Sequence, residues 1–400
     1  MRSKITDLRI LLAGSSLILM LMACSSLSMP SATAEMQPPT LETPETVSAP
    51  TESSTNTPTS APDLPTINNP SLTHFEMFDQ MDGWGFTEDK LVITGDGGTT
   101  WTDITPAGVT KLGYSASVYF LDQTTGWLVS PNDDFLTGTL YYTTDGGSNW
   151  TSVAVPFSGG SFDFIDASTG FILVGRGAAA GSAAVDIYST SDGGVTWNAV
   201  YTMQLGVGGD VNSLPFSGQK SGFAFLDGLK GWVGGNIPMD GYIYLYTSLD
   251  GGHVWMKQNP VLPTGYESAM TEVMSPRFFN DLQGVLPIRI MTDSFTFDFY
   301  RTQDGGVTWT STEPVIVSGQ FSIASLQDIF VWDGGPILKV TQDGGQSWNV
   351  VSTNINVTDI LMSMQFVDSQ TGWILTGDAA NHHSLYKTID GGATWNVLIP

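Results

Sequence analysis

The sequence is poor in cysteine and in positive charge. Its 400 residues include one cysteine, Cys24, and 14 lysines and arginines against 39 aspartates and glutamates, for a formal net charge of −25. A single cysteine excludes an internal disulfide framework. It also leaves no cysteine or cysteine–histidine cluster for a metal site. The acidic excess repels nucleic acid, so a nucleic-acid partner is not expected.

Long apolar runs and helical periodicity are also scarce. No stretch after residue 30 keeps a 3.6-residue apolar period, which excludes a helical solenoid. The longest apolar run, Ile10–Ala23, has 14 residues, fewer than the ~20 that a membrane helix needs. Preceded by basic residues, this run is typical of a signal peptide. The sequence therefore predicts an exported chain with residues 1–23 removed.

The end of the apolar run carries a second targeting signal. The tetrapeptide Leu21-Met22-Ala23-Cys24 resembles the lipobox of bacterial lipoproteins. That resemblance implies lipid attachment at Cys24 and an extracytoplasmic location on a bacterial membrane, in the cell envelope. An ordinary secretion signal with an incidental cysteine is the alternative. Residues 24–71 are rich in Ser, Thr and Pro, which predicts a disordered tether between the anchor and residues 72–400.

A repeated box dominates residues 72–400. The pattern Ser/Thr-x-Asp-Gly-Gly-x-x-Trp occurs seven times, at intervals of 39 to 58 residues. Regular self-similarity of this kind indicates a repeat architecture. Two adjacent glycines permit the positive φ of a tight hairpin, and the aspartate can accept N–H groups of its own turn. We therefore interpret the box aspartates as structural: Asp96, Asp145, Asp192, Asp250, Asp304, Asp343 and Asp390.

A second motif, apolar-x-Asp-x-x-x-Gly-aromatic, precedes most boxes. It is clear at Asp122–Trp127, Asp166–Phe171, Asp227–Trp232 and Asp368–Trp373, and Asp79–Trp84 also fits. The fifth copy is eroded and the sixth is barely recognisable. The two motifs and Trp332 account for all 12 tryptophans. Because these aromatics are locked to the repeat, we interpret them as packing anchors between units and not as a substrate platform.

The strands within one repeat predict the fold. In the second repeat, four short strands are expected at Ser115–Phe120, Trp127–Ser130, Thr139–Thr143 and Trp150–Val155. Four antiparallel strands per ~47 residues are typical of a propeller blade. The sequence thus predicts an all-β, seven-bladed propeller over residues 72–400. The chain begins with a first strand and ends with a fourth, so we expect the ring to close by packing of blades one and seven, without a shared blade.

The paired motifs resemble the photosystem II stability/assembly factor family, and more broadly the Asp-box (BNR) repeat superfamily. The resemblance covers residues 72–400. It implies a non-enzymatic propeller that binds a membrane-protein subunit during the assembly of a photosynthetic complex. That family is associated with an arginine-rich client-binding surface. This chain has only four arginines after Cys24, namely Arg176, Arg277, Arg289 and Arg301.

Candidate binding residues come from the irregular loops on the face opposite the repeated turns, because variable loops on a rigid scaffold commonly carry function. We expect these loops at 176–186, 205–219, 236–242, 258–277 and 287–297. The candidate partner-binding residues are Arg176, Asp240, Tyr242, Tyr266, Glu267, Arg277 and Arg289. A metal or cofactor is not expected, and no catalytic residue is assigned.

Two functions remain open on the sequence. The first is a scaffold that binds protein partners, anchored to the membrane by its lipid alone. The second is a glycan-binding or sialidase-like, glycan-hydrolysing surface protein. A glycoside hydrolase needs two carboxylates, and these can be drawn from Asp240, Glu267, Glu272 and Asp293.

Overall fold

The computed structural model describes residues 64–400, except 110, 111, 113–115, 180 and 204–211. The predicted signal peptide, Cys24 and most of the predicted tether lie outside the described residues. The described part is all-β, with 30 strands and no α-helix. None of its elements is a helix with the length and hydropathy of a membrane span.

The described strands form antiparallel units that follow the seven sequence repeats, with five strands in units 1 and 5 and four strands in each of the others. Unit 1 contains β1 (Thr66–Ile67), β2 (His74–Met77), β3 (Gly83–Phe86), β4 (Leu91–Thr94) and β5 (Trp101–Asp103). Unit 2 contains β6 (Ser117–Phe120), β7 (Gly126–Pro131), β8 (Gly138–Thr143) and β9 (Thr151–Val155). Unit 3 contains β10 (Ser161–Phe164), β11 (Gly170–Ala179), β12 (Ser182–Thr190) and β13 (Asn198–Thr202). The strands of unit 2 match those expected from the sequence to within two residues at each end.

The remaining units have the same order. Unit 4 contains β14 (Gln219–Phe225), β15 (Gly231–Asn236), β16 (Tyr244–Ser248) and β17 (Met256–Lys257). Unit 5 contains β18 (Met270–Val273), β19 (Arg277–Phe278), β20 (Gly284–Met291), β21 (Phe295–Thr302) and β22 (Val315–Ile316). Unit 6 contains β23 (Gln320–Ile323), β24 (Ile329–Trp332), β25 (Ile337–Thr341) and β26 (Asn349–Ser352). Unit 7 contains β27 (Leu361–Phe366), β28 (Gly372–Gly377), β29 (His383–Thr388) and β30 (Asn396–Ile399).

Each unit is an antiparallel meander that begins at its inner strand, except that unit 1 carries the additional strand β1 at its outer edge and has β2 as its inner strand. Unit 5 departs from this pattern, because its inner strand is split into β18 and β19, which both pair with β20. Units 4 and 5 are joined into one nine-stranded sheet through a single residue pair, Asn236 with Glu272. The other five units form separate sheets.

Seven buried apolar clusters hold the units together. Each cluster combines side chains of two consecutive units, and one combines unit 7 with unit 1. Repeated aromatic residues form their centres: Trp127 stacks on Phe164 with 3.6 Å between ring centroids, and Phe330 stacks on Phe366 at the same spacing. The aromatic residues therefore pack between units, as the sequence pattern predicts.

The closing contact joins units 7 and 1 without exchanging a strand. Trp373 is fully buried, and its Nε1 donates to the carbonyl of Gly97 at 2.9 Å. The Gln365 amide accepts from Met77 N at 2.7 Å and donates to Met77 O at 2.9 Å. Unit 1 gains a fifth strand from its own N-terminal side, since β1 pairs with β5. This strand lies within the segment predicted as tether, so the sheet of unit 1 includes residues before 72.

Three of the expected loops are corrected by the structure. Most of 176–186 belongs to β11 and β12, and most of 287–297 belongs to β20 and β21. The loop expected at 258–277 contains β18 and reaches β19. The glycines, alanines and Pro287 suggested irregular backbone there, but buried Val185, Ile288 and Ile290 keep the alternation of paired strands.

Candidate functional site

The repeated turns have one hydrogen-bonding scheme in all seven units. In the second box, Thr143 Oγ1 donates to Asp145 Oδ1 at 2.9 Å and accepts from Gly147 N at 2.9 Å. The same carboxylate oxygen accepts from Asn149 N at 2.9 Å. Equivalent bonds occur in the other six boxes. Every box carboxylate is thus engaged in its own turn.

Both kinds of repeated turn lie on one face of the ring, which we call the turn face. In every unit, the N–H of the first box glycine donates at 2.7–3.0 Å to a carbonyl of the turn between strands one and two. Both box glycines have positive φ, 66–74° for the first and 75–93° for the second. Hydrogen bonds from the Ser347 side chain and backbone lower the pKa of the Asp343 carboxyl to about 2. At neutral pH this carboxylate is therefore a charged turn acceptor and not a proton donor.

The inner strands surround a central channel whose lining follows one rule. The residue that precedes the last position of each inner strand lies opposite the second residue of strand two, which is aromatic or apolar. We call these residues the channel ring: Glu76, Tyr119, Asp163, Ala224, Arg277, Ser322 and Gln365. Seven equivalent positions thus carry seven different residues.

Most ring residues bond the backbone of the next inner strand. Tyr119 donates to Phe164 O at 3.2 Å, Asp163 accepts from Phe225 N, and Arg277 donates to Ile323 O. Ser322 accepts from Phe366 N at 2.8 Å, and Gln365 bonds Met77 as described above. Ala224 has no polar group, and Ser275 Oγ instead accepts from Phe223 N at 3.0 Å. These bonds fasten the inner strands to one another around the channel.

Glu76 is the exception among the polar ring residues, because its carboxylate makes no hydrogen bond to another described residue. The side chain is exposed to water in the channel, and the surrounding inner strands partly desolvate it. This desolvation raises the pKa of the Glu76 carboxyl, while the charge of Arg277 opposes the rise. The buried Trp84 Nε1 lies near enough to lower that pKa, but its geometry falls outside that of a hydrogen bond.

Three other ring residues have shifted pKa values. Burial raises the pKa of the Asp163 carboxyl to about 7. Burial, together with the nearby charges of Asp163 and Glu76, raises the pKa of the Tyr119 hydroxyl. Burial lowers the pKa of the Arg277 guanidinium, and the charge of Glu76 opposes this shift. These four groups therefore interact electrostatically within one channel.

The opposite face, which we call the loop face, brings several predicted binding residues together. Gly241 N, next to Asp240, donates to Ala269 O at 2.9 Å, and Thr271 Oγ1 donates to Tyr242 O at 2.9 Å. The turn after strand two of unit 4 therefore lies against the segment that carries Tyr266 and Glu267. Arg289 pairs with Glu272 at 3.0 Å within the adjoining strands β20 and β18. We call Asp240, Tyr242, Tyr266, Glu267 and Arg289 the loop-face cluster.

The two remaining candidates lie elsewhere. Arg176 is on β11 of unit 3, where it pairs with Asp186 at 3.3 Å and donates to Met203 O at 3.2 Å. Arg277 is in the channel ring on β19, not on the loop face as expected. The split of the unit 5 inner strand explains this error, since the unusual length before Arg277 suggested a loop.

The tyrosines of the loop-face cluster are only partly available. The Tyr242 hydroxyl bonds the Tyr246 hydroxyl at 2.7 Å, and Lys257 Nζ lies 3.7 Å from the centre of the Tyr242 ring. Tyr266 packs against the apolar cluster between units 4 and 5. Asp240 and Glu267 are exposed. The charged groups therefore offer the more accessible contacts of this cluster.

Reasoning from the sequence missed Glu76 and Asp163. The signal that could have identified them is their place in the repeat. Both lie two residues before the apolar residue with which the turn between strands one and two begins. Aligning the seven repeats on that position shows that it carries Glu, Tyr, Asp, Ala, Arg, Ser and Gln in turn. No group of three His, Cys, Asp or Glu side chains in the described part is arranged to hold a metal ion.

Comparison with curated proteins gives one informative relative. The chain is 26% identical over 308 residues to the chloroplastic photosystem II stability/assembly factor HCF136 of Arabidopsis thaliana, covering 73% of this chain and 70% of that protein. The chain is a homologue of this assembly factor. No protein-family model matches the sequence.

Solved structures extend the comparison beyond assembly factors. A structure of YCF48 bound to a D1 peptide covers 81% of this chain and 96% of its own length, with a TM-score of 0.49 and 18% identity. The GH74 xyloglucanase of Xanthomonas campestris gives a TM-score of 0.53 with 12% identity, covering 83% of this chain and 55% of the enzyme. At such identities the xyloglucanase shares the fold alone, because one propeller fold supports many activities.

Proposed function

We propose that this chain is a non-enzymatic, lipid-anchored, extracytoplasmic propeller that binds protein partners as an assembly scaffold. The observation that carries the proposal is the homology to the assembly factor HCF136 across 308 residues. The lipobox-like Leu21–Cys24 segment supports anchoring to a membrane, where a membrane-complex subunit would be within reach.

The loop-face cluster is the surface we assign to this partner. It combines exposed Asp240 and Glu267 with half-buried Tyr242 and Tyr266, in connections beside the sheet that spans units 4 and 5. Partly buried tyrosines flanked by charges are common in protein interfaces, since their rings add contact area at a small entropic cost.

The hydrolytic alternative finds less support on this face. A glycoside hydrolase needs a carboxylic acid with a raised pKa beside a second carboxylate. Hydrogen bonds from the backbone, including Gly265 N, lower the pKa of Glu267. Glu272 is paired with Arg289. Neither residue therefore has the environment of a general acid.

Crosslinking in native membranes tests the scaffold proposal. The tagged full chain would be crosslinked in its own membranes, and copurifying proteins identified by mass spectrometry. We expect a stoichiometric membrane subunit whose recovery falls at least about fivefold in the double variant D240K/E267K. The matched control E88K/D359K makes the same change of charge at exposed positions of other units and is expected to leave recovery unchanged.

Two results would count against the proposal. Recovery of the tagged chain alone would contradict the scaffold proposal and favour a glycan ligand. Binding to a panel of polysaccharides would then be measured. Equal loss in both double variants would mean that net charge, and not the loop-face cluster, governs recovery.

A further inference from the structure

The turn-face end of the channel forms a cavity that the proposed partner surface does not include. Its volume is about 620 Å³, and its lining includes Glu76, Arg277 and Gln365 of the channel ring. A cavity of about 520 Å³ adjoins it through Arg277 and includes Tyr119 and Asp163. Sites that hold small ligands commonly have volumes of ~300–1,000 Å³.

An apolar collar lies just above the channel ring. The residue that follows each inner strand is apolar and half-buried in all seven units: Phe78, Leu121, Ile165, Leu226, Phe279, Ala324 and Val367. Five of these seven residues line the two cavities. The collar can therefore contact the apolar stem of a ligand that enters from the turn face.

An acidic rim follows the collar. The next residue is an aspartate in five units: Asp79, Asp122, Asp166, Asp227 and Asp368. Backbone N–H groups of Asp82 and Met81 lower the pKa of the Asp79 carboxyl. The Ser168 hydroxyl and the backbone lower the pKa of Asp166. The rim is therefore negatively charged at neutral pH and attracts cations toward the opening.

Glu76 is the acceptor within the cavity that has no other use in the fold. The other polar ring residues bond the backbone of a neighbouring strand, whereas the Glu76 carboxylate makes no such bond among the described residues. The Arg277 guanidinium in the same cavity already donates to Ile323 O, so it has a structural role that the Glu76 carboxylate lacks. Charge and geometry thus favour a cationic ligand over an anionic one.

We propose that the turn-face opening of the channel binds an extended polypeptide segment that carries Lys or Arg. The basic group bonds the Glu76 carboxylate, its alkyl stem lies against the collar, and the rim aspartates attract the segment from solution. This site is at the opposite end of the channel from the loop-face cluster. Its success or failure is therefore independent of the proposed scaffold function.

The test measures peptide binding to the purified full chain by fluorescence anisotropy at ~0.15 M salt, where long-range attraction is largely screened. The probe is a fluorescein-labelled hexapeptide of alternating leucine and lysine. Its partner probe has the same sequence with every lysine Nε-acetylated, which removes the charge and keeps the stem. We expect saturable binding of the lysine peptide and weak binding of the acetylated one.

Three variants locate the site. E76Q removes the proposed acceptor and is expected to weaken binding at least about tenfold, as the loss of a charge-assisted hydrogen bond implies. E88Q removes one exposed carboxylate from the same unit, outside the channel, and is expected to change binding less than twofold. A224Y places in the channel the side chain that unit 2 has at the equivalent Tyr119, and is expected to weaken binding by obstruction.

The outcomes separate a channel site from general attraction to an acidic protein. Equal weakening in E76Q and E88Q, equal binding of the two peptides, or unchanged binding in A224Y would each overturn the proposal. Thermal midpoints of the variants check that a loss of binding is not a loss of folding. Because D240K/E267K leaves the channel intact, it is expected to bind the peptide like the wild-type chain.

Discussion

The two faces of the propeller differ in how strongly the sequence specifies them. On the turn face, the same hydrogen bonds join box and neighbouring turn in every unit, with N···O distances of 2.7–3.0 Å between them. On the loop face, the connections differ from unit to unit in length and composition, and one of them merges two units into a single sheet. The turn face therefore carries the interactions that stabilise every unit. The loop face carries features that are specific to individual units.

This difference has an energetic side. A residue that repeats in all units satisfies buried backbone groups and packs against the next unit, so its replacement removes several interactions together. A residue of the loop face contacts fewer groups and is more open to solvent. We therefore expect matched substitutions on the two faces to differ in their effect on stability.

The largest expected effect comes from adding a methyl group to a box glycine. Gly147 has φ +82°, and a Cβ there would lie 2.7 Å from Ile104 of unit 1. G147A should lower the free energy of unfolding by about 3 kcal/mol, through backbone strain and overpacking. Chemical denaturation followed by tryptophan fluorescence measures this change.

Gly265 on the loop face supplies the matched control for G147A. It has φ +93°, but no atom lies within 4 Å of an added Cβ. G265A should therefore cost only the strain of a positive φ, about 1 kcal/mol. Equal losses in the two variants would show that the contact between units adds nothing beyond the backbone conformation.

The next effect concerns the box carboxylates. Asp145 accepts hydrogen bonds from Thr143, from the Asn149 backbone and from Asn149 Nδ2. D145A should lower the free energy of unfolding by about 2 kcal/mol, because it leaves these donors without their acceptor. D240A, at an exposed aspartate of the loop face, should change it by less than about 0.5 kcal/mol.

The pH dependence gives D145A a second readout. Bonds to the carboxylate depress the folded-state pKa of Asp145 despite partial desolvation. This stabilisation is present above the unfolded pKa near 4 and is lost as pH falls through the folded value. The difference between wild-type chain and D145A should therefore shrink below pH 4, and a difference that persisted there would contradict the role of charge.

The same contrast explains how far the sequence predicts the structure. Turn chemistry in the boxes predicted the strand pattern and the units, because glycine and aspartate at fixed offsets have one local solution. It failed at Arg277, since a split inner strand depends on how β18 and β19 pair with β20 and not on local composition. It also missed Glu76 and Asp163, whose neighbours in the channel come from other units.

Asp163 offers a way to test whether burying a charged group in the channel ring lowers the free energy of unfolding. Burial raises the pKa of its carboxyl to about 7, above the unfolded value near 4. Between these values the folded state binds the extra proton, so stability is greatest below pH 4 and declines as pH rises toward 7. D163N keeps an oxygen for Phe225 N without the charge, and should raise the free energy of unfolding by about 1 kcal/mol at pH 8 but not at pH 4. The expected gain of about 1 kcal/mol is smaller than the pKa shift alone would imply, because water in the channel screens the charge.

D192N serves as the opposite control. The Thr196 hydroxyl and backbone lower the pKa of the Asp192 carboxyl in the third box. Removing this charge should therefore reduce stability at pH 8, where D163N increases it. Thermal unfolding of both variants at pH 4, 6 and 8 measures the two trends, and a shared sign at pH 8 would refute the assignment of the Asp163 shift.

The smallest expected effect belongs to the ion pair of the loop-face cluster. Arg289 and Glu272 lie 3.0 Å apart, with 32% and 21% of their side chains exposed. A double-mutant cycle with R289M and E272Q should give a coupling of about 0.5 kcal/mol at low salt and less at 1 M, because water and ions screen the pair. A coupling above about 2 kcal/mol would mean that the cluster supports the fold as strongly as the boxes do. A weak coupling would leave Arg289 free to exchange Glu272 for a partner's carboxylate at little cost in stability, as a binding surface requires.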